Sequence, residues 1–206
     1  MNVSFLGYKI HIEFSFILII TLLFFTGKSF FVLSALLASF IHELGHITAL
    51  ELAGFPTRQL NLSAFKLDII DLDKIDRTLR EDLIILLAGP ICNLFVFILS
   101  YSIYMSAFRN YYLYFFAIEN LFLFIFNLLP IANLDGGQIV FLLLQLKMGV
   151  LSAQRFLLIS SAVFIYLISC LGFYIFLKSG YNISVLLFSI NIYTQIYNIN
   201  THTQKH

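Results

Sequence analysis

From Leu83 to Ala107 the chain has no Asp, Glu, Lys or Arg, and most of its residues there are Leu, Ile, Phe or Tyr. At about 1.5 Å per residue, a helix over 82–107 exceeds the ~30 Å hydrocarbon core of a bilayer. Such a segment is stable in lipid only as a helix, whose backbone groups satisfy one another. Similar runs near residues 9–26, 29–53, 111–146, 151–177 and 182–199 predict an all-α polytopic membrane protein with about six transmembrane helices. Its 60% hydrophobic and 11% charged residues contrast with about 45–50% and about 25% in soluble domains. A net charge of +1 without a basic block gives no reason to expect nucleic acid as a partner. The run from Ile10 to Phe25 is too long for a signal-peptide core and has no small-residue cleavage site, so it reads as a first span. Cys92 and Cys170 lie inside apolar runs and read as small packing residues.

Two segments depart from simple spans. Residues 111–146 are too long for one straight crossing and contain Pro130, Asp135, Gly136 and Gly137, which predicts a kinked fourth helix that unwinds around 128–135. A bilayer tolerates this only where protein or water meets the freed backbone groups. The polar 54–81 segment alternates with period two in Gln59-Leu60-Asn61-Leu62-Ser63 and Lys66-Leu67-Asp68-Ile69. That pattern predicts a short β-hairpin with an edge strand, to which an extended substrate could add by backbone pairing; the alternative is a solvated loop. If all six runs cross, nine of the 12 Lys and Arg residues share one side, against Lys28, Arg109 and Lys178 on the other. Both termini are then expected in the cytoplasm of a bacterial cell membrane protein.

The second run carries His42-Glu43-Leu44-Gly45-His46, an HExxH pattern. On a helix the two histidines stand one turn apart on one face, where both can bind one zinc ion, with Glu43 beside them as a general base. The alternative is a pair of neutral histidines bonded to neighbouring helices, with Glu43 protonated. Ionisable groups inside a span are costly without compensation, and a metal supplies it. Hydrolytic zinc usually takes three protein ligands, so a third must come from elsewhere. Asp135 is the candidate, set against a role as N-cap of the helix that resumes at Gly136. In Leu87-Ala88-Gly89-Pro90-Ile91-Cys92-Asn93, Gly89 and Pro90 read as a helix start or kink with close packing.

Together, HExxH, Asn127-Leu128-Leu129-Pro130 with Leu134-Asp135-Gly136, and Ala88-Gly89-Pro90 with Asn93 resemble the site-2 proteases, intramembrane zinc metalloproteases. The resemblance covers about residues 8–177 and is nearest to the stage IV sporulation protein FB group, with which Lys9-Ile10-His11 also agrees. It implies zinc held by His42, His46 and Asp135, Glu43 as the catalytic base, and Asn127 as a substrate-positioning or oxyanion-stabilising donor, with inter-helix packing the alternative for Asn127. It also implies a membrane-associated protein substrate, such as a sigma-factor precursor in sporulation, and membrane inhibitor or regulatory proteins. A single domain over 1–206 is expected, with its site-bearing core at about 29–147 and neither PDZ nor CBS domain. Ser63-Ala64-Phe65-Lys66 replaces the Pro-Phe-Gly-Gly turn of relatives, and Asn133 replaces a common second proline. The rival readings are a polytopic metal transporter built on the same four residues and a non-catalytic pseudoprotease that binds membrane segments.

Overall fold

A computed structural model describes residues 2–5, 8–12, 29–55, 59–62, 67–70, 77–106 and 109–179. Its elements are strands β1 (Asn2–Phe5) and β2 (Tyr8–Ile12), helix α1 (Ser29–Leu52), strands β3 (Gln59–Leu62) and β4 (Leu67–Ile70), and helices α2 (Leu79–Ser106), α3 (Tyr111–Asn127), α4 (Asp135–Met148) and α5 (Val150–Ser179). Among the described residues, three helices are long and apolar enough to cross a membrane: Phe30–Leu52, Leu79–Ser106 and Val150–Tyr174. α3, with 17 residues, is shorter. The chain divides into two compact units, before and after Asn127.

In the first unit, α1 and α2 meet along complementary stripes. On α1 the buried positions Ser34, Ala38, His42, His46 and Leu50 recur every four residues, the spacing that keeps side chains on one helical face. On α2 the facing stripe is Ile85, Gly89 and Asn93. The outward faces, Leu33, Leu37, Phe40 and Leu44 on α1 and Ile84, Leu87, Ile91, Phe95 and Ile98 on α2, are apolar and exposed. In lipid such faces need no protein cover, so small residues at the seam drive the packing. A Cβ on Gly45 would sit 2.6 Å from the Ala88 carbonyl oxygen, so the backbones touch where a larger residue would separate them.

The ends of these helices follow local chemistry. At the start of α2, the Thr78 N–H and hydroxyl each donate to Glu81 Oε2 at 2.7 Å, and the Glu81 N–H donates back to Thr78 Oγ1 at 3.4 Å, forming a capping box. Arg77 Nε pairs with Asp82 at 2.8 Å. α1 ends at Gly54, whose φ of 86° suits glycine, while the Phe55 N–H reaches back to the Leu50 carbonyl at 2.9 Å, as in a Schellman motif.

The expected hairpin is present: β3 and β4 pair antiparallel, with Gln59 opposite Ile70 and Leu62 opposite Leu67. It forms half of a four-stranded sheet of order β1-β2-β3-β4, in which β2 and β3 are parallel. Parallel neighbours need a long crossover, and the chain between β2 and β3 contains α1. The first expected span therefore cannot begin at residue 9, because Tyr8–Ile12 is a strand; its remainder lies outside the described residues. So do the sixth expected span and the Ser63–Lys66 turn. β4 lies alongside α1.

Residues 111–146, expected as one interrupted helix, are the two helices α3 and α4, with non-helical residues between them. In the second unit that intervening segment is held by α5. The Ala132 N–H donates to Ser161 Oγ at 2.8 Å, Ser160 Oγ donates to the Pro130 carbonyl at 2.8 Å, and Gln138 Nε2 donates to the Ala132 carbonyl at 2.6 Å. Gly136 and Gly137 leave no room for a Cβ against the carbonyls of Leu128 and Ile131. Ser161 is completely buried, so Ser161→Ala strands a backbone donor. The expected loss is about 1–3 kcal/mol of unfolding free energy, read by denaturation in mixed micelles; an unchanged value would show that this bond contributes nothing.

Candidate metal centre

His42, Glu43 and His46 lie together on α1 in the first unit. Each histidine has its Nδ1 occupied by α2: His42 Nδ1 is 2.7 Å from Asn93 Oδ1, and His46 Nδ1 is 2.8 Å from the Ile85 carbonyl oxygen. A carbonyl only accepts, so His46 carries its proton on Nδ1 and exposes a lone pair on Nε2. Asn93 Nδ2 donates to the Ala38 carbonyl at 3.0 Å, which turns the amide oxygen toward His42 and gives that ring the same tautomer. Two such lone pairs, 3.2 Å apart, repel unless a cation lies between them. Zinc–nitrogen bonds of about 2.0–2.1 Å at a tetrahedral angle separate two nitrogens by about 3.3 Å. The observed pair fits that requirement, and an Nδ1 donor bond on each ring is the usual way to fix a ligand histidine.

Room for an ion-binding pair comes from Gly89. A Cβ there would lie 2.7 Å from His46 Cε1, 2.9 Å from His42 Cε1, and in hard contact with His46 Nε2. The close-packing reading of Gly89 is therefore correct in kind, but the surface packed against is the histidine pair. Pro90 lies within an unbroken α2 rather than at its start. It lacks the N–H that would bond the Leu86 carbonyl, one residue from the carbonyl that His46 uses. Asn93, noted in the sequence only as part of a motif, is buried and bonded to a candidate ligand. A polar residue in an uncharged run, one turn beyond Gly89, is the signal that could have identified it.

Glu43 follows His42, turned by about 100° around the helix, and is partly buried. Asp135 and Asn127 belong to the second unit. Asn127 closes α3 and is partly buried. Asp135 is the first residue of α4; the N-cap is Leu134, with no side-chain capping bond. A carboxylate in the first turn of a helix is favoured by the helix dipole.

Residues 105–171, which include the Asn127–Gly137 segment, match Peptidase family M50. Stage IV sporulation protein FB of Bacillus subtilis (strain 168) is 28% identical over 163 residues, 79% of this chain and 57% of that protein; the match thus spans little more than half of that relative. The fold is similar to that of the Site-2 Protease from Methanocaldococcus jannaschii, with a TM-score of 0.72 and 22% identity over 96% of this chain and 94% of that one. With three helices apolar enough to cross a membrane among the described residues, the chain is a membrane protein that is similar to Peptidase family M50 over residues 105–171 and similar in fold to a site-2 protease.

Proposed function

We propose that this protein is an intramembrane zinc endopeptidase that hydrolyses peptide bonds in or next to membrane-spanning segments of membrane-associated proteins. The observation that carries this reading is the pair of imidazole lone pairs held 3.2 Å apart, beside a carboxylate, on a helix apolar enough to span. His42 and His46 would hold the ion, with Asp135 as third ligand. Support for Asp135 comes from the three-ligand habit of hydrolytic zinc and from the need to compensate a carboxylate in an apolar segment. When bound, zinc acidifies water and polarises a carbonyl. Glu43 takes the proton of the attacking water and delivers it to the leaving amine nitrogen as the C–N bond breaks. Asn127 donates a hydrogen bond to the developing oxyanion or orients the substrate.

A helical peptide bond is shielded by its own hydrogen bonds, so the substrate has to be extended. β4, an outer strand of the sheet lying alongside the HExxH helix, offers a strand-addition edge. Both termini are assigned to the cytoplasm, which puts the site nearer that face. The resemblance implies a sigma-factor precursor in sporulation as substrate and membrane proteins as regulators. The test uses purified protein in micelles, a reporter with a membrane-spanning segment, and zinc or a chelator. Zinc-dependent cleavage is expected. Zinc flux into vesicles without cleavage would favour a transporter, and reporter binding without cleavage a pseudoprotease.

A further inference from the structure

Asn93, the partner of His42 Nδ1, is itself held by a second asparagine that no motif includes. Asn93 Nδ2 donates not only to Ala38 but also to Asn120 Oδ1 on α3, at 3.0 Å, and Asn120 Nδ2 donates to the Phe116 carbonyl at 2.8 Å. Both asparagines are 0% exposed, and His42, Asn93 and Asn120 all lie in the first unit. An amide side chain can face either way unless its partners forbid it. Here the direction is forced from one end. The Phe116 carbonyl accepts only, so the NH₂ of Asn120 faces it and its oxygen faces Asn93. Asn93 must then present NH₂ to Asn120, leaving its oxygen for His42. His42 in turn must carry its hydrogen on Nδ1, which leaves Nε2 unprotonated. Without Asn120, the Asn93 orientation rests on the Ala38 carbonyl, which lies four residues before His42 in the same helix and already has a main-chain partner. A flipped Asn93 would present NH₂ to Nδ1, drive the proton of His42 to Nε2 and block the lone pair that a metal needs.

We propose that Asn120 is a positioning residue for the metal centre: through Asn93 it selects the Nδ1-protonated tautomer of His42. This rests on the zinc-site reading for its consequence, but the tautomer itself is independent of metal. Neighbouring Glu119, partly buried in the same helix, has no part in this chain of bonds.

The test compares Asn120→Leu, similar in size but unable to accept, with Asn120→Asp, whose protonated carboxyl keeps one acceptor and one donor. In metal-free protein labelled with ¹⁵N-histidine, the His42 nitrogen shifts report the tautomer. Wild type and Asn120→Asp are expected to be Nδ1-protonated, and Asn120→Leu mixed or Nε2-protonated. Zinc affinity by chelator competition should fall on the order of 10-fold in Asn120→Leu, the lower end of the usual cost of losing an outer partner, and recover in Asn120→Asp. An Nδ1-protonated His42 in Asn120→Leu would overturn the proposal. If Asn120→Leu does not fold, Asn120→Ala is read against the same two outcomes. If wild type binds no zinc, the zinc reading fails, and the histidine shifts still decide the role of Asn120.

Discussion

Glu43→Gln is expected to insert, fold and bind zinc as the wild type does, while proteolysis falls by about 10²–10⁴-fold, the usual worth of a general base. That fall corresponds to roughly 2.7–5.4 kcal/mol of transition-state stabilisation. The substitution keeps side-chain size and hydrogen-bonding capacity and removes only the ability to take a proton. The ligand pair should keep its place, because the Nδ1 atoms of His42 and His46 stay bonded to Asn93 and Ile85 on α2 whether position 43 is Glu or Gln. Zinc per chain and cleavage of one reporter, measured on the same preparation, separate the two effects. Undiminished cleavage would end the assignment of Glu43 as the base.

Gly89→Ala is expected to damage the centre from the opposite side. Its added Cβ would lie within 3 Å of both imidazoles, and neither ring can yield without giving up the Nδ1 bond that sets its tautomer. Zinc affinity should fall on the order of 10- to 100-fold, as when an outer partner is lost, with activity following it. Ile91→Ala, on the exposed lipid-facing side of the same helix, should leave zinc binding unchanged. Chelator competition on both variants checks this; wild-type zinc affinity in Gly89→Ala would mean that the rings are not confined as described.

Features written in local periodicity could be read from the sequence. The uncharged run after Asp82 and the HExxH-bearing run give helices within a few residues of their observed limits, because a bilayer-spanning helix needs no partner to announce itself. The period-two pattern around Gln59–Leu62 and Leu67–Ile70 likewise gave the hairpin. Tyr8–Ile12 escaped because it runs directly into the apolar stretch that follows, although it pairs antiparallel with the adjacent β1 as well as parallel with the distant β3. Inside the site, HExxH is legible because both ligands share one helix, whereas the roles of Asn93, Gly89 and Asn120 exist only once three helices come together. Ser160 and Ser161 are similar: in α5 they look like ordinary helix residues, and only the unwound Pro130–Ala132 segment gives their hydroxyls a purpose.

The most direct measurement is metal content. Wild-type protein and the double variant His42→Ala/His46→Ala, purified identically in the presence of zinc, are analysed for zinc per chain by elemental analysis, with folding checked by unfolding in mixed micelles. The expected result is one zinc per folded wild-type chain and essentially none in the folded double variant. Stoichiometric zinc retained by the double variant would contradict the assignment of this histidine pair as the metal centre.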